Sequence, residues 1–535
     1  MKIQKYEHTV TAKRGLAGES MTPKNTYADI VVVGAGMAGL YFSWRMLSRG
    51  GQTVINLEKL NRTGGRLDTD IVHINGEPVK NEEGGMRFDV GMKNLMWLLQ
   101  SLGRSADIMP FKMGDDNNIY HLRGRQFTFG EAQNSALWST LYKLAPNEQN
   151  KQPNLILQEV FESILTQNGI NPKTSYPQTP EDWQKIRLAC LYRGIPLYQW
   201  GFWALLTDYG LSQECMQMIE DCMGFLAFYK QEVNAGVGFQ TMGDFDKLPD
   251  YQTLKPGYEG LADTLTNQIY SMGGQILLEH KVDTITVNND GTFTVMALTP
   301  PGPVTINCKS LVLALPSLPL QKLAQSTPVL QGNWQFMQDV QTVTSMPLTK
   351  INLYFTERWW FNRYQIANGG SFTDMPMAQF YCYDPISDDN TGPASMTIYC
   401  DYDRVGYWDT LQRIGTAFPP SDGLRQPANT TAASTFVIEH AMKQLGTFFN
   451  DQNLPQPVLS TYVGWGTSDA GDGDHSWMVG ANDGEVMRRI ANPVPNVYVC
   501  GEAYSDEQAW VDGALRSTET LLQNHFGVPS YEQSS

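Results

Sequence analysis

The sequence predicts an α/β protein, and three stretches carry that expectation. Residues 29–58, DIVVVGAGMAGLYFSWRMLSRGGQTVINLE, read as strand, glycine turn, helix and second strand. Residues 252–325 return to a helix followed by strands, and residues 486–528 give a strand, a glycine turn and a last helix. This character recurs at the start, middle and end of a 535-residue chain, split by other material. One discontinuous Rossmann-like domain with further domains inserted into it is the expected architecture.

Within the first stretch, the apolar run Ile30 to Val33 is long enough for a buried strand, and the helical pattern after it reaches about Arg49. Gly34, Gly36 and Gly39 fill the three positions of a G-x-G-x-x-G turn, with Ala38 inside it. The first glycine allows the tight turn, the second lets the backbone approach a pyrophosphate, and the third lets helix and strand pack closely. The helix N-terminus offers free N–H groups and a partial positive charge to an anion. A second apolar run, Thr53 to Leu57, ends on Glu58 and is followed by Lys59. There a carboxylate can accept hydrogen bonds from both ribose hydroxyls and would repel the extra phosphate of NADP. A glycine-rich turn without function would leave Glu58 unexplained, so the stretch predicts a dinucleotide site.

Composition narrows the class. With 41% hydrophobic and 18% charged residues the chain reads as soluble and globular. No run approaches 18 uninterrupted apolar residues, so no membrane span is expected. Residues 1–28 carry Lys2, Lys5, Lys13, Arg14 and Lys24 without an apolar block and read as a loose N-terminal arm. The net charge of −16 disfavours a nucleic-acid partner. Seven cysteines, none in a C-x-x-C pair, point to reduced buried thiols and a cytoplasmic address, and seven scattered histidines show no metal-ligand spacing.

Between the α/β stretches, the glycine-punctuated residues 59–95 read as short strands and turns. Residues 131–230 carry Leu, Trp, Tyr and Met at helical spacing and predict a helical domain. Ser310 to Leu315 reads as another buried strand, closed by Pro316. PLTKINLYF, AQFYCYD and SMTIYCDYD alternate as strands of a β-rich platform over 341–403, and residues 404–435, rich in Pro, Gly, Ser and Thr, read as a surface excursion.

Four further motifs accompany the glycine turn: Gly64-Gly65-Arg66, Gly84-Gly85-Met86-Arg87, Lys350 inside the strand TKINLYF, and Gly501-Glu502-Ala503 followed by Ala509-Trp510-Val511-Asp512-Gly513-Ala514. Together they resemble the flavin-dependent amine oxidase superfamily, and within it the L-amino acid oxidases, over about residues 28–527. The resemblance implies an FAD-binding domain from 29–95, 252–325 and 486–528. It also implies an α+β substrate domain with a mixed sheet from 96–130, 231–251 and 326–485, and a helical insert at 131–230.

The resemblance also implies roles. Gly34, Gly36, Ala38 and Gly39 would approach the FAD pyrophosphate, with Glu58 and Lys59 at the adenosine ribose. Gly65, Arg66 and the backbone of Gly84 to Arg87, Met86 included, would run along the pyrophosphate and flavin. Val282 would meet the adenine, Gly501 and Glu502 the flavin's linker chain, and Val511 and Ala514 the ring. Arg87 and Tyr399 would bind a substrate carboxylate, although a surface salt bridge and a core tyrosine are their structural alternatives. Lys350 would hold a water used in the reaction with dioxygen; the alternative is a snorkelling edge-strand lysine. Trp510 would wall the site, and the Ala509 carbonyl would accept the substrate amine where relatives often have glycine. Ala481 would occupy the place of a flavin-linking cysteine in some monoamine oxidases, so FAD would be held without a covalent bond. The implied reaction is oxidative deamination of an L-amino acid by hydride transfer, with dioxygen as acceptor, in a homodimer. An amine or polyamine oxidase, an amino acid 2-monooxygenase, and a flavoprotein without turnover remain alternatives.

Overall fold

The structure, a computed structural model, describes residues 26–230, 232–246, 251–383, 392–421, 423–427, 430–467 and 471–531. The arm expected over residues 1–28 lies almost wholly outside them, as does part of the segment 231–251.

The glycine-turn region folds as its pattern dictates. Strand β1 (Tyr27–Val33) leads into helix α1 (Met37–Arg49), and the chain returns as β2 (Val54–Leu57), parallel to β1. The Rossmann-like sheet has seven strands: Gln275–Leu277, β2, β1, β3 (Gly302–Leu313), Phe293–Thr299 and Lys281–Val287 in order, with Val497–Val499 pairing β3. β3 begins eight residues before the expected Ser310. Its first half pairs antiparallel with Phe293–Thr299 and its last three residues pair parallel with Val497–Val499. The first half alternates more and less exposed residues because only one face is covered. That hides it among the Pro, Gly and Thr of the sequence.

A second seven-stranded sheet is mixed. β4 (Leu348–Phe355) lies between β5 (Ala394–Asp401) and β6 (Leu459–Trp465), and Gln379–Cys382, Gly369–Thr373, Ile119–Leu122 and Arg125–Thr128 complete it. The single parallel pairing joins Gly369–Thr373 to Ile119–Leu122. Every residue of β4 and β5 is buried. Helices Asp403–Ile414 and Thr435–Phe448 cover one side through Trp408, Val437, Leu445 and Phe448. The first of these helices corrects the expected excursion at 404–435. Val405, Trp408 and Leu411 recur every three residues and are buried, a signal that the surrounding Pro, Gly and Ser outweighed.

The insert is mostly helical. Pro153–Gln167, Pro180–Ala189, Phe202–Tyr209 and Gln213–Met223 pack around a core of their own. Proline opens the first two at a position where its missing N–H costs nothing. The chain ends on α2 (Val511–Phe526), which packs on α1. All seven cysteines are unpaired and buried. Among the described residues no helix is long and apolar enough to cross a membrane, and no group of three or more His, Cys, Asp and Glu is placed to hold a metal.

Candidate active site

The carboxyl ends of β1, β2 and β3 open on one cavity of about 640 Å³, as ligand crevices do in open α/β sheets. It runs from Glu58, Lys59 and Val282 past Gly34, Gly36, Ala38, Gly65 and Arg66. It continues to Gly84, Gly85, Met86, Arg87, Lys350, Tyr399, Gly501, Glu502, Ala509, Trp510, Val511 and Ala514. Every residue singled out in the sequence for cofactor, substrate or chemistry lines it except Gly39 and Ala481. That glycine is pressed against the first: a Cβ there would stand 2.1 Å from the Gly34 carbonyl oxygen. That approach packs α1 closely on β1.

The walls suit a flavin dinucleotide. Gly36 caps α1 and Trp510 caps α2, neither through a side-chain hydrogen bond, so the N–H groups of two helix N-termini are left for whatever fills the cavity. Gly36 and Gly65 approach so closely that a Cβ on Gly65 would lie 3.1 Å from the Gly36 Cα. Glu58 is buried at the far end, its two oxygens accepting from the Ala35 and Leu60 backbones at 2.8 and 2.9 Å. Those bonds fix the carboxylate and leave lone pairs for a ribose. An anionic pyrophosphate would lie at the α1 N-terminus, and an electron-accepting ring at the α2 N-terminus.

Arg87 stands at the opposite end, 7% exposed. Its guanidinium lies 5.0 Å from the Tyr251 ring centre, 5.8 Å from Phe111 and 5.9 Å from Trp510, with Trp510 stacked on Tyr251 at 5.8 Å. Arginine's flat cation fits such a cage, and its side chain also hydrogen-bonds to Tyr251 and Tyr381 within it. A surface salt bridge does not describe it. Tyr399 projects from β5 opposite Lys350 on β4. Phe225 packs edge-on against Tyr399 at 5.5 Å.

Lys350 is buried, its Nζ donating to the carbonyls of Glu82 at 3.1 Å and Gly84 at 2.5 Å, 5.1 Å from the Tyr399 ring centre. Burial pushes its ammonium down to about 8, against the pull of Glu82 and Glu83. A snorkelling lysine would keep its ordinary value. Ala509 departs from ordinary backbone, with φ at +68° in the left-handed region that glycine favours. The Ala509 N–H is anchored on Glu502 Oε1 at 2.7 Å.

Glu502 belongs to a charged network that motif reading missed. Arg66 donates to Glu502 Oε2 at 2.6 Å and to the Gly473 carbonyl at 2.9 Å. The His475 ring bridges Glu502 at 2.8 Å and Asp472 at 3.0 Å. Burial alone would neutralise both groups, yet the neighbouring carboxylates raise His475 to about 9, and Arg66 with His475 holds Glu502 at about 2. Both nitrogens of His475 face carboxylates, which favours its imidazolium form, while the Ser317 N–H also points at Nε2 from 3.3 Å. Asp474, also on the cavity wall, is pushed up to about 7 by burial and by Glu502. The signal available was Gly471-Asp-Gly-Asp-His475, acids and a lone histidine among glycines where the short strand Asp474–Trp477 begins.

Other wall residues come from distant segments: Phe225, Phe228, Val237 and Gln240 from the helical region, and Trp465, Ser476 and Trp477 from the platform. Trp477 and Trp465 are aromatic walls the sequence did not reveal. Ala481 is corrected: it packs in the core with Val343, Trp477 and Val486 and does not line the cavity, so its identity says nothing about flavin attachment. None of the seven cysteines lines the cavity.

The chain is similar to known proteins over most of its length. The family of flavin containing amine oxidoreductases matches residues 37–520. The chain is 23% identical over 527 residues to the uncharacterised protein R188 of Acanthamoeba polyphaga mimivirus, covering 94% of each. It is 24% identical over 369 residues to an L-amino-acid oxidase of Siganus canaliculatus, covering 67% of this chain and 62% of that one. A putrescine oxidase solved with putrescine bound has the same fold, with a TM-score of 0.64 at 15% identity over 93% of this chain and 98% of the other. Glycine turn, buried Glu58, two open helix ends and a family match across most of the sequence lead to one conclusion: the chain belongs to the flavin-containing amine oxidoreductases.

Proposed function

We propose that the protein is an FAD-dependent L-amino acid oxidase, converting its substrate to a 2-oxo acid, ammonia and hydrogen peroxide. The observation that carries this reading is the caged Arg87 guanidinium in the cavity that also holds Lys350 and Tyr399. A carboxylate needs parallel donors in a dry setting, and Arg87 with the Tyr399 hydroxyl supplies them. A simple amine has no use for a buried cation beside it.

The bound flavin would supply the hydride acceptor and the reactivity toward dioxygen. The protein's residues would orient and stabilise. Arg87 and Tyr399 clamp the carboxylate, which fixes where the α-hydrogen points. The Ala509 carbonyl accepts a hydrogen bond from the neutral amine, and Trp510 closes one side of the pocket. Lys350, able to gain or lose a proton near pH 8, holds a water and a positive charge where oxygen is reduced. Arg66 and Glu502 brace the linker side. No thiol lines the wall, which supports a cofactor held without a cysteinyl bond. We extend the reading to a homodimer, and the seven unpaired buried cysteines support a cytoplasmic address.

The test is a peroxide assay on the yellow purified protein over all twenty amino acids in both chiralities, plus putrescine and common monoamines. Turnover confined to L-amino acids is expected; turnover of amines alone would overturn the reading. One feature favours an amine or diamine instead: Asp474 could receive a second ammonium. Putrescine in the panel decides between them.

A further inference from the structure

The Glu82–Gly84 segment grips two groups of the cavity wall. The Glu82 and Gly84 carbonyls accept from Lys350, and the Glu83 carbonyl between them accepts from the Trp465 indole at 2.8 Å. The Glu83 side chain does not line the cavity and is wholly buried. Its Oε1 accepts from Thr461 at 2.7 Å, and its carboxyl lies within hydrogen-bond reach of the Asp70 carboxyl, itself 5% exposed. Among the described residues Glu83 Oε2 meets no donor.

Two carboxyl groups in contact and away from water do not both stay ionised, so the pair keeps one proton and one negative charge. The neighbouring acids are answered separately: Asp68 by Arg62 at 3.0 Å, and Glu82 by Lys80 at 3.5 Å, the Thr69 hydroxyl at 2.7 Å and the Tyr258 N–H at 3.1 Å. The buried Tyr354 hydroxyl also faces the pair and stays protonated there. Around Lys350, Glu82, Asp474 and the carboxyl pair reached through Glu83 favour its ammonium, and Arg87 opposes it.

We propose that Asp70 and Glu83 share a single proton, resident on Glu83, and that the one negative charge left on the pair, behind the segment that holds Lys350, sustains the Lys350 ammonium in the cavity wall. Both are positioning residues, acting through Lys350 and the carbonyls that grip it. The proposal concerns the lysine's charge and holds whichever amine or amino acid is oxidised.

The test reads Lys350 directly. The purified holoenzyme is treated with cyanate across a pH series, and carbamylation at Lys350 is followed by peptide mass spectrometry. The wild-type midpoint should lie near 8. Asp70→Asn removes the pair's charge and should lower the midpoint by about one pH unit, giving roughly tenfold more free amine at pH 7. Glu83→Gln keeps both the charge on Asp70 and a neutral donor toward it, so the midpoint should stay where it was. Equal shifts in the two variants, or none in either, would overturn the proposal. Should Asp70→Asn fail to fold, infrared spectroscopy of the wild type carries the test. A protonated-carboxyl stretch at pH 8 that vanishes in Glu83→Gln is expected, and its absence from the wild type would overturn the shared proton. Neither readout depends on substrate, so these outcomes and that of the peroxide panel are separable.

Discussion

Replacing Arg87 with lysine separates recognition of a carboxylate from the presence of a positive charge. The guanidinium sits 7% exposed with three aromatic rings 5.0–5.9 Å away, so little water screens what it binds. Lysine keeps the charge but loses the parallel donors and the stacking face. One charge-assisted hydrogen bond in such a place is worth about 1.5–3 kcal/mol, or roughly ten- to 150-fold in kcat/KM. The assay compares an L-amino acid with the amine it would give by decarboxylation, both by peroxide release. Arg87→Lys should cut kcat/KM for the amino acid by that factor and leave any slow oxidation of the amine unchanged. Equal losses on both compounds would mean that Arg87 holds the fold or the cofactor, and no loss on the amino acid would refute the clamp.

Lys350→Met removes a buried ammonium whose pKa is about 8 in the fold against 10.5 ordinarily. The folded state releases this proton more readily, so the burden of the charge is complete below pH 8 and fades as pH rises to 10.5. The variant should be more stable than wild type by about 3 kcal/mol near pH 7, with the gap closing above pH 8, as read by urea midpoints; a gap independent of pH would contradict the buried cation. The same variant should slow reoxidation by dioxygen while sparing reduction by substrate. Gly39→Ala would drive a methyl into the Gly34 carbonyl, 2.1 Å away, so α1 must lift from β1 at a cost of about 1–3 kcal/mol. A lower flavin-to-protein ratio and a lower melting temperature check it. Ala509→Gly relaxes a residue at φ +68° and should stabilise the protein by about 0.5–1 kcal/mol in urea, whereas a loss would show that the Ala509 methyl packs favourably.

The sequence made the cofactor end legible because local rules govern it. A glycine turn between two buried strands, with Glu58 closing the second, has few other folds open to it, and helix α1 ends at Arg49 as its pattern indicates. Arg87, Lys350, Tyr399 and Trp510 could be singled out by resemblance, but only the fold brings them to one cavity. The rest depended on long-range contacts. His475 and Asp472 gain meaning only when Glu502 and Arg66 arrive from segments far along the chain. Phe225 meets Tyr399 across the boundary between helical region and platform. Glu83, flanked by glycines and acids, reads as a solvated turn residue, yet it is fully buried because Thr461 and Asp70 close over it. Trp408 and its helix were lost to the composition around them. Ala481 was misplaced because a short glycine-rich stretch offers several registers and only the packed structure selects one.

The most direct measurement is anaerobic mixing of the yellow enzyme with an L-amino acid, its D-enantiomer and its decarboxylated amine, following loss of the flavin's visible absorbance. The account expects rapid bleaching by the L-amino acid alone, slowed when its α-hydrogen is deuterium and again in Arg87→Lys. Bleaching by the amine as fast as by the amino acid, or by no amino acid of either hand, would contradict a site built around a carboxylate.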